Sequence, residues 1–304
     1  MIVQIYEIQT PEEAERCVAL GVDHVGSVLL SGEEWRVPAL REVVRVTEAA
    51  GGKSSLIPLF ADQETLFRAL DFYRPALIHF CESLLDEEGT ARSLDGLLEY
   101  QSRVKERYPE IGIIRSIPVP ESGHRGEAAS LQVARELEPV TDFFLADTWL
   151  GGEPVAGYIG ITGKTADRKI AADLVNSCRI PVILAGGLSP ENVYEALLKV
   201  VPAGVDSCTG TNVTDPHGSP VRFRKDFDRV ARFVREVRRA EAELRDRKKE
   251  QEAAIARARE ELREREAALP AHSVRPHQLM AVEALEEEIS ALEHSLRSLQ
   301  KAIG

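Results

Sequence analysis

Eight alternations of a short apolar run with an amphipathic stretch, all within the first 228 residues, predict a (β/α)8 barrel, also called a TIM barrel. After that point the chain is rich in Ala, Glu, Arg and Leu and has no glycine before Gly304, which predicts a helical segment over residues 229–304. A chain of 304 residues, 43% hydrophobic and 29% charged, is long enough to bury both cores. A doubly wound open sheet is the alternative, but no G-x-G-x-x-G follows the first apolar run.

Each predicted strand is a run of five to seven mostly apolar residues. In chain order they are IVQIYEI (2–8), HVGSVLL (24–30), SLIPLF (55–60), ALIHF (76–80), IGIIRSI (111–117), DFFLAD (142–147), PVILAG (181–186) and GVDSC (204–208). The stretches between them, such as PEEAERCVALG and PENVYEALLKVV, begin with proline or an acidic residue, as helices prefer.

The C-terminal segment carries a heptad pattern, which is typical of a coiled coil. Apolar residues alternate in steps of three and four at Val282, Leu285, Ile289, Leu292, Leu296, Leu299 and Ile303. Two prolines in LPAHSVRPHQ cannot continue a helix, so we expect two arms that fold back as an antiparallel hairpin. A two-helix hairpin has little core of its own, which favours a homodimer through this segment. A self-packed hairpin and a protein partner are the alternatives.

Charge, hydropathy and cysteine usage exclude several classes of protein. The formal net charge is −12, and the excess of acidic residues lies in the first 228 residues, so we expect no binding to nucleic acid. No apolar run is long enough to span a membrane and the start does not resemble a signal peptide, so we expect a cytoplasmic protein. The four cysteines form no CxxC pair and the histidines show no ligand spacing, so we expect neither a metal nor a cofactor.

The loop after the sixth predicted strand, GYIGITGKTADRK, is suited to bind an anion. Gly160 and Gly163 let backbone amides approach closely, and Lys164 supplies positive charge. The next helix opens near Thr165 and Asp167, so we expect its free N–H groups to add to the same site.

Two further glycine-rich ends follow the seventh and eighth strands. Gly186 and Gly187 lie in AGGLSPENV, while Thr209 and Gly210 lie in SCTGTN. Phosphate in (β/α)8 enzymes is often held by the loops after the last strands. The three loops together therefore predict a phosphate site, although a glycine pair after a strand often marks only a tight turn.

Four charged residues on or after the strands are candidates for contact with the rest of a substrate. Asp147 closes strand six, where its carboxyl could act as a general acid or base or merely cap a loop. Asp206 could accept a hydrogen bond from a substrate hydroxyl or from a neighbouring amide. Arg36 follows strand two and could clamp a carboxylate. Arg115 lies inside an apolar strand, where an unpaired cation is costly, so a partner or an anionic ligand must compensate its charge, and we expect it to point into the barrel.

The part of the chain that holds these candidate residues, from residue 1 to about 235, resembles the phosphoribosylanthranilate isomerase family of tryptophan biosynthesis. The resemblance is carried by VQIYEIQTPEEAERCVALGVDHVG, WRV, LADT, GITGKTAD and, most specifically, PVILAGGLSPENVYEALLKVVPAGVDSCTG. It implies a (β/α)8 isomerase that performs an Amadori rearrangement of N-(5-phosphoribosyl)anthranilate. It also implies that Asp147 protonates the ring oxygen, that Arg36 holds the anthranilate carboxylate, and that Gly163, Gly186, Gly187 and Gly210 lie at phosphate-loop positions.

The match departs from the family at the first strand. Family members carry K-I-C-G-I-T there, and its cysteine is the base that removes the C2 proton; in this chain Tyr6 stands at that position. A tyrosine with a pKa near 10 is a poor base at neutral pH. Glu7 is a plausible carboxylate, although strand alternation predicts that it points the other way, and His79 in the altered strand-four motif is the other candidate.

The sequence thus predicts an isomerase of a phosphoribosyl substrate in which the base cysteine is replaced. One alternative is a divergent barrel that binds a phosphate ester and performs lyase or other isomerase chemistry. Another is a non-catalytic binding protein that is assembled by the coiled coil.

Overall fold

A computed structural model describes residues 1–123, 129–270 and 275–303, and it confirms the predicted barrel. Eight parallel strands close on themselves because β1 pairs with both β2 and β8. Their bounds are β1 Ile2–Ile5, β2 His24–Leu29, β3 Lys53–Pro58, β4 Leu77–Phe80, β5 Gly112–Pro120, β6 Phe143–Trp149, β7 Val182–Leu184 and β8 Gly204–Ser207. Each overlaps its predicted run, although β1 ends three residues early.

In the described part of the chain, seven α-helices connect the strands: α1 Pro11–Ala19, α2 Pro38–Ala49, α3 Gln63–Tyr73, α4 Asp95–Arg107, α5 Ser130–Leu137, α6 Arg168–Ser177 and α7 Val193–Val200. Side-chain oxygens cap three of them, since Thr10, Asp62 and Asp167 each accept a hydrogen bond from an amide in the first turn. Proline at the start of α1 and α2 fits the backbone angle of a first helical turn.

The interior of the barrel changes character along its axis. A cluster of buried apolar side chains fills one level, formed by Leu77, Ile114, Leu145, Ile183 and Ala185. Two residues further along β4, β5 and β6 stand His79, Ser116 and Asp147, so the level nearer the carboxyl ends of these strands is polar. In (β/α)8 enzymes this end carries the active site.

A short antiparallel hairpin follows β8 and precedes the eighth helix. Its strands are β9 (Asn212–Thr214) and β10 (Pro220–Lys225), and a single 3-10 turn, Thr209–Thr211, connects β8 to it. The sequence pattern predicted neither of these two strands.

Two long helices complete the chain, α8 (Phe227–Ala267) and α9 (Pro276–Ile303). The chain divides into two compact units, Met1–Arg239 and Ala240–Gly304, so the first turns of α8 belong to the barrel unit, whereas the expected boundary was at 228/229. Within the second unit the two helices contact each other, for example from Gln251 Nε2 to Ser295 Oγ at 2.7 Å. Each member of the predicted seam on α9 is at least partly buried, which fits the expected hairpin.

Across the described ranges, no helix is both long enough and apolar enough to cross a lipid bilayer.

Candidate active site

Two adjacent cavities lie at the carboxyl ends of the strands. The first cavity is lined by apolar residues, which include Val28, Ile57, Leu59, Leu145, Ile159 and Ile161, and by the polar residues Tyr6, Glu7, His79, Ser116 and Arg222. The second cavity is lined mainly by the loops after β6, β7 and β8, with Thr162, Gly163, Gly186, Gly187, Leu188 and Thr209. Asp147, Ile161, Asp206 and Cys208 line both cavities and therefore lie between them.

The pKa of the Asp147 carboxyl is suited to proton transfer near neutral pH. Burial raises the pKa of this carboxyl to about 6, against a weaker opposing effect of hydrogen bonds from the amides of Thr148 and Gly186. The Thr148 amide donates to Asp147 Oδ1 at 2.8 Å. A Cβ at Gly160 would lie 2.4 Å from Asp147 Oδ2, so the carboxyl packs against a backbone position that only glycine allows.

Asp206 stands beside Asp147 in the polar level and holds its proton more tightly. Burial and the negative charge of Asp147 raise the pKa of Asp206 to about 8, so this side chain is neutral at pH 7. Its Oδ1 accepts a hydrogen bond from Gln4 Nε2 at 3.1 Å, and Gln4 Oε1 in turn lies 3.0 Å from Nδ1 of His24. Two carboxyl groups with different pKa values, Asp147 near 6 and Asp206 near 8, therefore adjoin both cavities.

The second cavity brings together four of the predicted phosphate-binding residues: Gly163, Gly186, Gly187 and Thr209. Their loops pack closely, because a Cβ at Gly187 would lie 2.9 Å from the carbonyl oxygens of Gly163 and Lys164. Among the described residues, the amides of Gly163, Gly187 and Thr209 have no hydrogen-bond acceptor. Unpaired amides beside a cavity are suited to hold an anion.

The loop after β6 is fixed in place by the loops that follow β4 and β5. The amide of Ile159 donates to the carbonyl of Cys81 at 2.8 Å, and the amide of Ser122 donates to the carbonyl of Thr165 at 3.0 Å. Gly160 of this loop lines the first cavity rather than the second.

Three parts of the predicted phosphate site lie elsewhere. The exposed Lys164 extends towards Glu121, with Nζ 3.6 Å from Oε1, and lines neither cavity. Gly210 also lines neither; a Cβ there would lie 2.0 Å from the carbonyl oxygen of Leu188, so its role is close packing. The expectation that α6 offers free N–H groups is wrong, because Asp167 accepts from the amides of Lys169 and Ile170 and fills that site.

Tyr6, just after β1, and His79, on β4, belong to one buried hydrogen-bond network. Tyr6 Oη lies 2.6 Å from Ser55 Oγ and 2.8 Å from Nδ1 of His79, while His79 Nε2 lies 2.8 Å from Ser116 Oγ. Burial raises the pKa of Tyr6 well above its ordinary value and lowers the pKa of His79 to about 3. Both side chains are therefore neutral at pH 7, and both nitrogens of the imidazole are engaged.

Glu7 lines the first cavity together with Tyr6, although strand alternation predicted that the two side chains point opposite ways. The reason is a left-handed backbone at Glu7, with φ +65°, which ends the alternation after β1. Its buried carboxylate accepts from Asn212 Nδ2 at 2.9 Å, Arg222 Nε at 2.7 Å and the Phe223 amide at 3.1 Å. Although burial alone would raise it, these bonds lower the pKa of Glu7 below its ordinary value, so Glu7 is ionised at neutral pH.

The prediction that Arg115 points into the barrel is wrong. Its neighbours Ile114 and Ser116 occupy the inward positions of β5, so Arg115 faces the helical layer. There its Nε donates to Gln101 Oε1 at 2.8 Å, and its Nη1 donates to Glu82 Oε2 at 2.6 Å. A buried arginine that is paired in this way stabilises the wall of the barrel and has no access to either cavity.

Arg36 is exposed, and its guanidinium carbon lies 4.9 Å from the centre of the Phe72 ring. It lines neither cavity in this structure. Within the described ranges, no group of three or more His, Cys, Asp or Glu side chains is arranged to hold a metal ion.

Sequence reasoning missed Arg222, which reaches the first cavity from β10, and Gln4, which orients Asp206. Gln4 could have been found, because strand alternation places it on the same inward face of β1 as Tyr6. Arg222 left no such signal, since its partner Glu7 is 215 residues away in the chain.

Comparison with known proteins identifies the family. The model of N-(5'-phosphoribosyl)anthranilate isomerase matches residues 98–213. The protein of that name from Xanthomonas euvesicatoria pv. vesicatoria is 30% identical over 224 residues, which cover 73% of this chain and 86% of the relative. The one from Methanocella arvoryzae is 28% identical over 238 residues, covering 78% and 97%.

Solved structures show the same fold. The isomerase from Pyrococcus furiosus superposes with a TM-score of 0.54 at 22% identity, over 79% of this chain and 99% of that one. The isomerase from Thermotoga maritima gives a TM-score of 0.55 at 21% identity, over 78% and 99%. The sequence matches extend through the strands that bear Asp147 and Asp206 and the loops that line the second cavity, and this chain belongs to the N-(5'-phosphoribosyl)anthranilate isomerase family.

Proposed function

We propose that this chain isomerises N-(5'-phosphoribosyl)anthranilate by an Amadori rearrangement, with the phosphate in the second cavity and the anthranilate ring in the first. The observation that carries the proposal is the position of Asp147, which lines both cavities. A carboxyl at this position would reach the ribose that connects the two ends of the substrate. Its pKa of about 6 suits it to donate a proton there.

The reaction needs one proton donor and one proton acceptor. Asp147 gives its proton to the ribose ring oxygen as the bond from that oxygen to C1 breaks, and the anilino nitrogen supplies the electron pair for an iminium. A base then removes the proton from C2, and the electrons of that C–H bond form the C1–C2 double bond of the enol product. The electron pair of the iminium bond returns to the anilino nitrogen in the same step. We propose that Asp206, whose pKa is raised to about 8, hydrogen-bonds a ribose hydroxyl in its protonated form.

We assign the base to Glu7, because the other candidates at the end of β1 and on β4 are unsuited. Tyr6 and His79 are neutral, and their polar atoms are bonded to each other and to Ser55 and Ser116. Glu7 is ionised and lines the first cavity. Among the residues that the structure describes, Arg222 is the one donor to its Oε1, so a lone pair of that oxygen remains to take a proton.

Turnover of N-(5'-phosphoribosyl)anthranilate by the full chain, followed by the loss of its fluorescence, tests the function. We expect turnover by the wild type, and loss of turnover in Glu7→Gln with binding of the reduced product analogue retained. That analogue, reduced 1-(o-carboxyphenylamino)-1-deoxyribulose 5-phosphate, is bound in a solved isomerase structure. Binding of the analogue without turnover by the wild type would indicate different chemistry on the same phosphate site. Neither binding nor turnover would indicate a non-catalytic barrel.

The homodimer is supported by exposed apolar side chains on the second unit. Leu279 and Met280, near the start of α9, are 46% and 66% exposed. We expect light scattering to give a dimer for the wild type and a monomer for Leu279→Glu/Met280→Glu. The exposed Leu30 on the barrel unit, changed to Glu, is the matched control and should leave the dimer intact. A wild-type monomer would contradict the dimer. The cytoplasmic location also stays a prediction.

A further inference from the structure

A row of three polar side chains crosses the barrel interior from the amino ends of the strands to the carboxyl ends. Gln4 on β1 is the register partner of His24 on β2 and of Asp206 on β8, so the three side chains share the inward face of the sheet. His24 is the first residue of its strand, whereas Asp206 is near the end of its own. Because the strands of a barrel are tilted and staggered, such a row rises along the barrel axis.

The row is buried, and two hydrogen bonds connect its members. Gln4 Oε1 lies 3.0 Å from Nδ1 of His24, and Gln4 Nε2 donates to Oδ1 of Asp206 at 3.1 Å. The exposed fractions of Gln4, His24 and Asp206 are 0%, 3% and 7%. A buried amide is costly unless both of its ends are bonded, so the row specifies which way the Gln4 amide turns.

The bond between His24 and Gln4 has a direction. An amide oxygen only accepts, so Nδ1 of His24 carries a hydrogen and donates it to Gln4 Oε1. Burial lowers the pKa of His24 to about 4, so the imidazole is neutral at pH 7 and its Nε2 carries no hydrogen. His24 also lines a third cavity, at the amino ends of the strands, together with Asp23, Lys53 and Phe143.

The proton of Asp206 is fixed in a similar way. Because Gln4 Nε2 is a donor, Oδ1 of Asp206 must accept, and the protonated carboxyl then carries its hydrogen on Oδ2. In the part of the chain that the structure describes, Oδ2 of Asp206 has no hydrogen-bond partner, and the side chain lines both the first and the second cavity. The oxygen that Gln4 does not contact can therefore donate to a ligand.

We infer that Gln4 and His24 are positioning residues, which hold the protonated Asp206 carboxyl so that its Oδ2 donates a hydrogen bond to the ribose hydroxyl of the substrate; this inference rests on the proposed function. If the Gln4 amide were reversed, its oxygen would take the proton of Asp206, and the substrate would meet an acceptor instead of a donor. The Nδ1 hydrogen of His24 opposes this reversal, because it would then face the NH2 group of Gln4.

Nitrogen-15 NMR of the full wild-type chain tests the direction of the row. We expect the Nδ1–H tautomer for His24 at pH 7, with its signals identified by their absence from the spectrum of His24→Asn. The Nε2–H tautomer would show that the Gln4 amide is reversed. That result would overturn the inference whether or not the chain has the proposed activity.

Binding of the reduced product analogue tests whether Gln4 acts through Asp206. Gln4→Met, which keeps the length of the side chain, should weaken binding about 3- to 10-fold, the net worth of one hydrogen bond. In the Asp206→Leu background the same substitution should change Kd less than about twofold. Equal weakening in both backgrounds would show that Gln4 only supports the barrel, and would overturn the inference.

Asp206→Asn tests the donor role of Oδ2. An asparagine can accept from Gln4 through Oδ1 and donate to the substrate through Nδ2, so Kd should stay within about threefold of the wild type. Weakening by more than about tenfold would show that the substrate needs an acceptor at this position, and would contradict the inference.

Ser54→Ala is the matched control for the loss of a buried hydrogen bond. Ser54 Oγ donates to Glu48 Oε1 at 2.6 Å and lines neither the first nor the second cavity, so Kd should equal that of the wild type. If the wild type binds the analogue and Gln4→Met binds it equally well, the inference is overturned and the proposed function stands. If the wild type does not bind it, the proposed function fails, and the inference fails with it.

Thermal melts show whether each variant is folded. Should Gln4→Met be unfolded, His24→Phe provides the same comparison, because it removes the donor that holds Gln4 Oε1. It should weaken binding of the analogue in the wild-type background and leave it unchanged in the Asp206→Leu background. Equal effects in the two backgrounds would again overturn the inference.

Discussion

The negative charge of Asp147 adds to burial in raising the pKa of Asp206 to about 8, and both carboxyl groups line both cavities. Since burial also raises the pKa of Asp147, to about 6, the two groups lose their protons in separate steps. Carboxyl groups whose pKa values are pushed apart in this way are typical of acid and base chemistry.

The first prediction concerns the pH dependence of kcat/KM. Asp147 must carry a proton to act as the acid, so kcat/KM should fall about tenfold per pH unit above about pH 6. Glu7 must be ionised to act as the base, and because its pKa is lowered, the acidic limb should lie below the ordinary pKa of a glutamate. In Asp206→Asn the fall of kcat/KM above about pH 6 should remain, since Asp206 is neutral at that pH. A flat profile between pH 5 and 8 would contradict these roles.

The second prediction concerns stability. The carboxyl of Asp206 ionises near pH 4 in the unfolded chain and near pH 8 in the folded one, so its burial costs stability as the pH rises through that window. Asp206→Asn should therefore raise the melting temperature more at pH 8.5 than at pH 4. Equal shifts at the two pH values would show that the folded carboxyl has an ordinary pKa.

The third prediction concerns Tyr6. Tyr6→Phe leaves the buried Ser55 hydroxyl and Nδ1 of His79 without their shared partner, so the free energy of unfolding should fall by about 1–3 kcal/mol in denaturant titration. Because the proposed base is Glu7 and not Tyr6, kcat should change less than tenfold. Ser55→Ala is the control and should cost less, since Tyr6 keeps its bond to His79. A loss of kcat above about 100-fold in Tyr6→Phe would indicate that the hydroxyl takes part in the reaction.

The fourth prediction separates contact from backbone strain in the loop after β6. Gly160 and Gly157 both have positive φ, +100° and +84°, but a Cβ at Gly160 would strike Asp147, whereas a Cβ at Gly157 has no atom within 4 Å. Gly160→Ala should therefore displace the Asp147 carboxyl and lower kcat about 10- to 100-fold. Gly157→Ala should lose stability as Gly160→Ala does, because its φ is also positive, but should keep its kcat. Equal kcat values for the two variants would show that the packing of Gly160 on Asp147 does not position the acid.

The elements that repeat along the chain were predictable, and the contacts between distant segments were not. Eight apolar runs gave eight strands, and Asp147, Gly163, Gly187 and Thr209 meet because the ends of parallel strands in a barrel converge. Arg115 was misplaced because an apolar strand gives no sign of which face is inward; its partners Glu82 and Gln101 come from other segments.

The hairpin after β8 escaped prediction for a related reason. Its strands are three and six residues long, and it is fixed by Glu7 from the opposite end of the barrel sequence. The same contact explains why Glu7 adopts a left-handed backbone, which alternation along β1 could not reveal. The position of the candidate base Glu7 depends on this long-range contact.

The most direct test of the account compares Asp147→Asn with the wild type in two measurements on the full chain. The account predicts that kcat for N-(5'-phosphoribosyl)anthranilate falls about 10²- to 10⁴-fold, whereas the Kd of the reduced product analogue changes less than about threefold. Turnover at the wild-type rate by Asp147→Asn would contradict the claim that this carboxyl, set between the two cavities, delivers the proton.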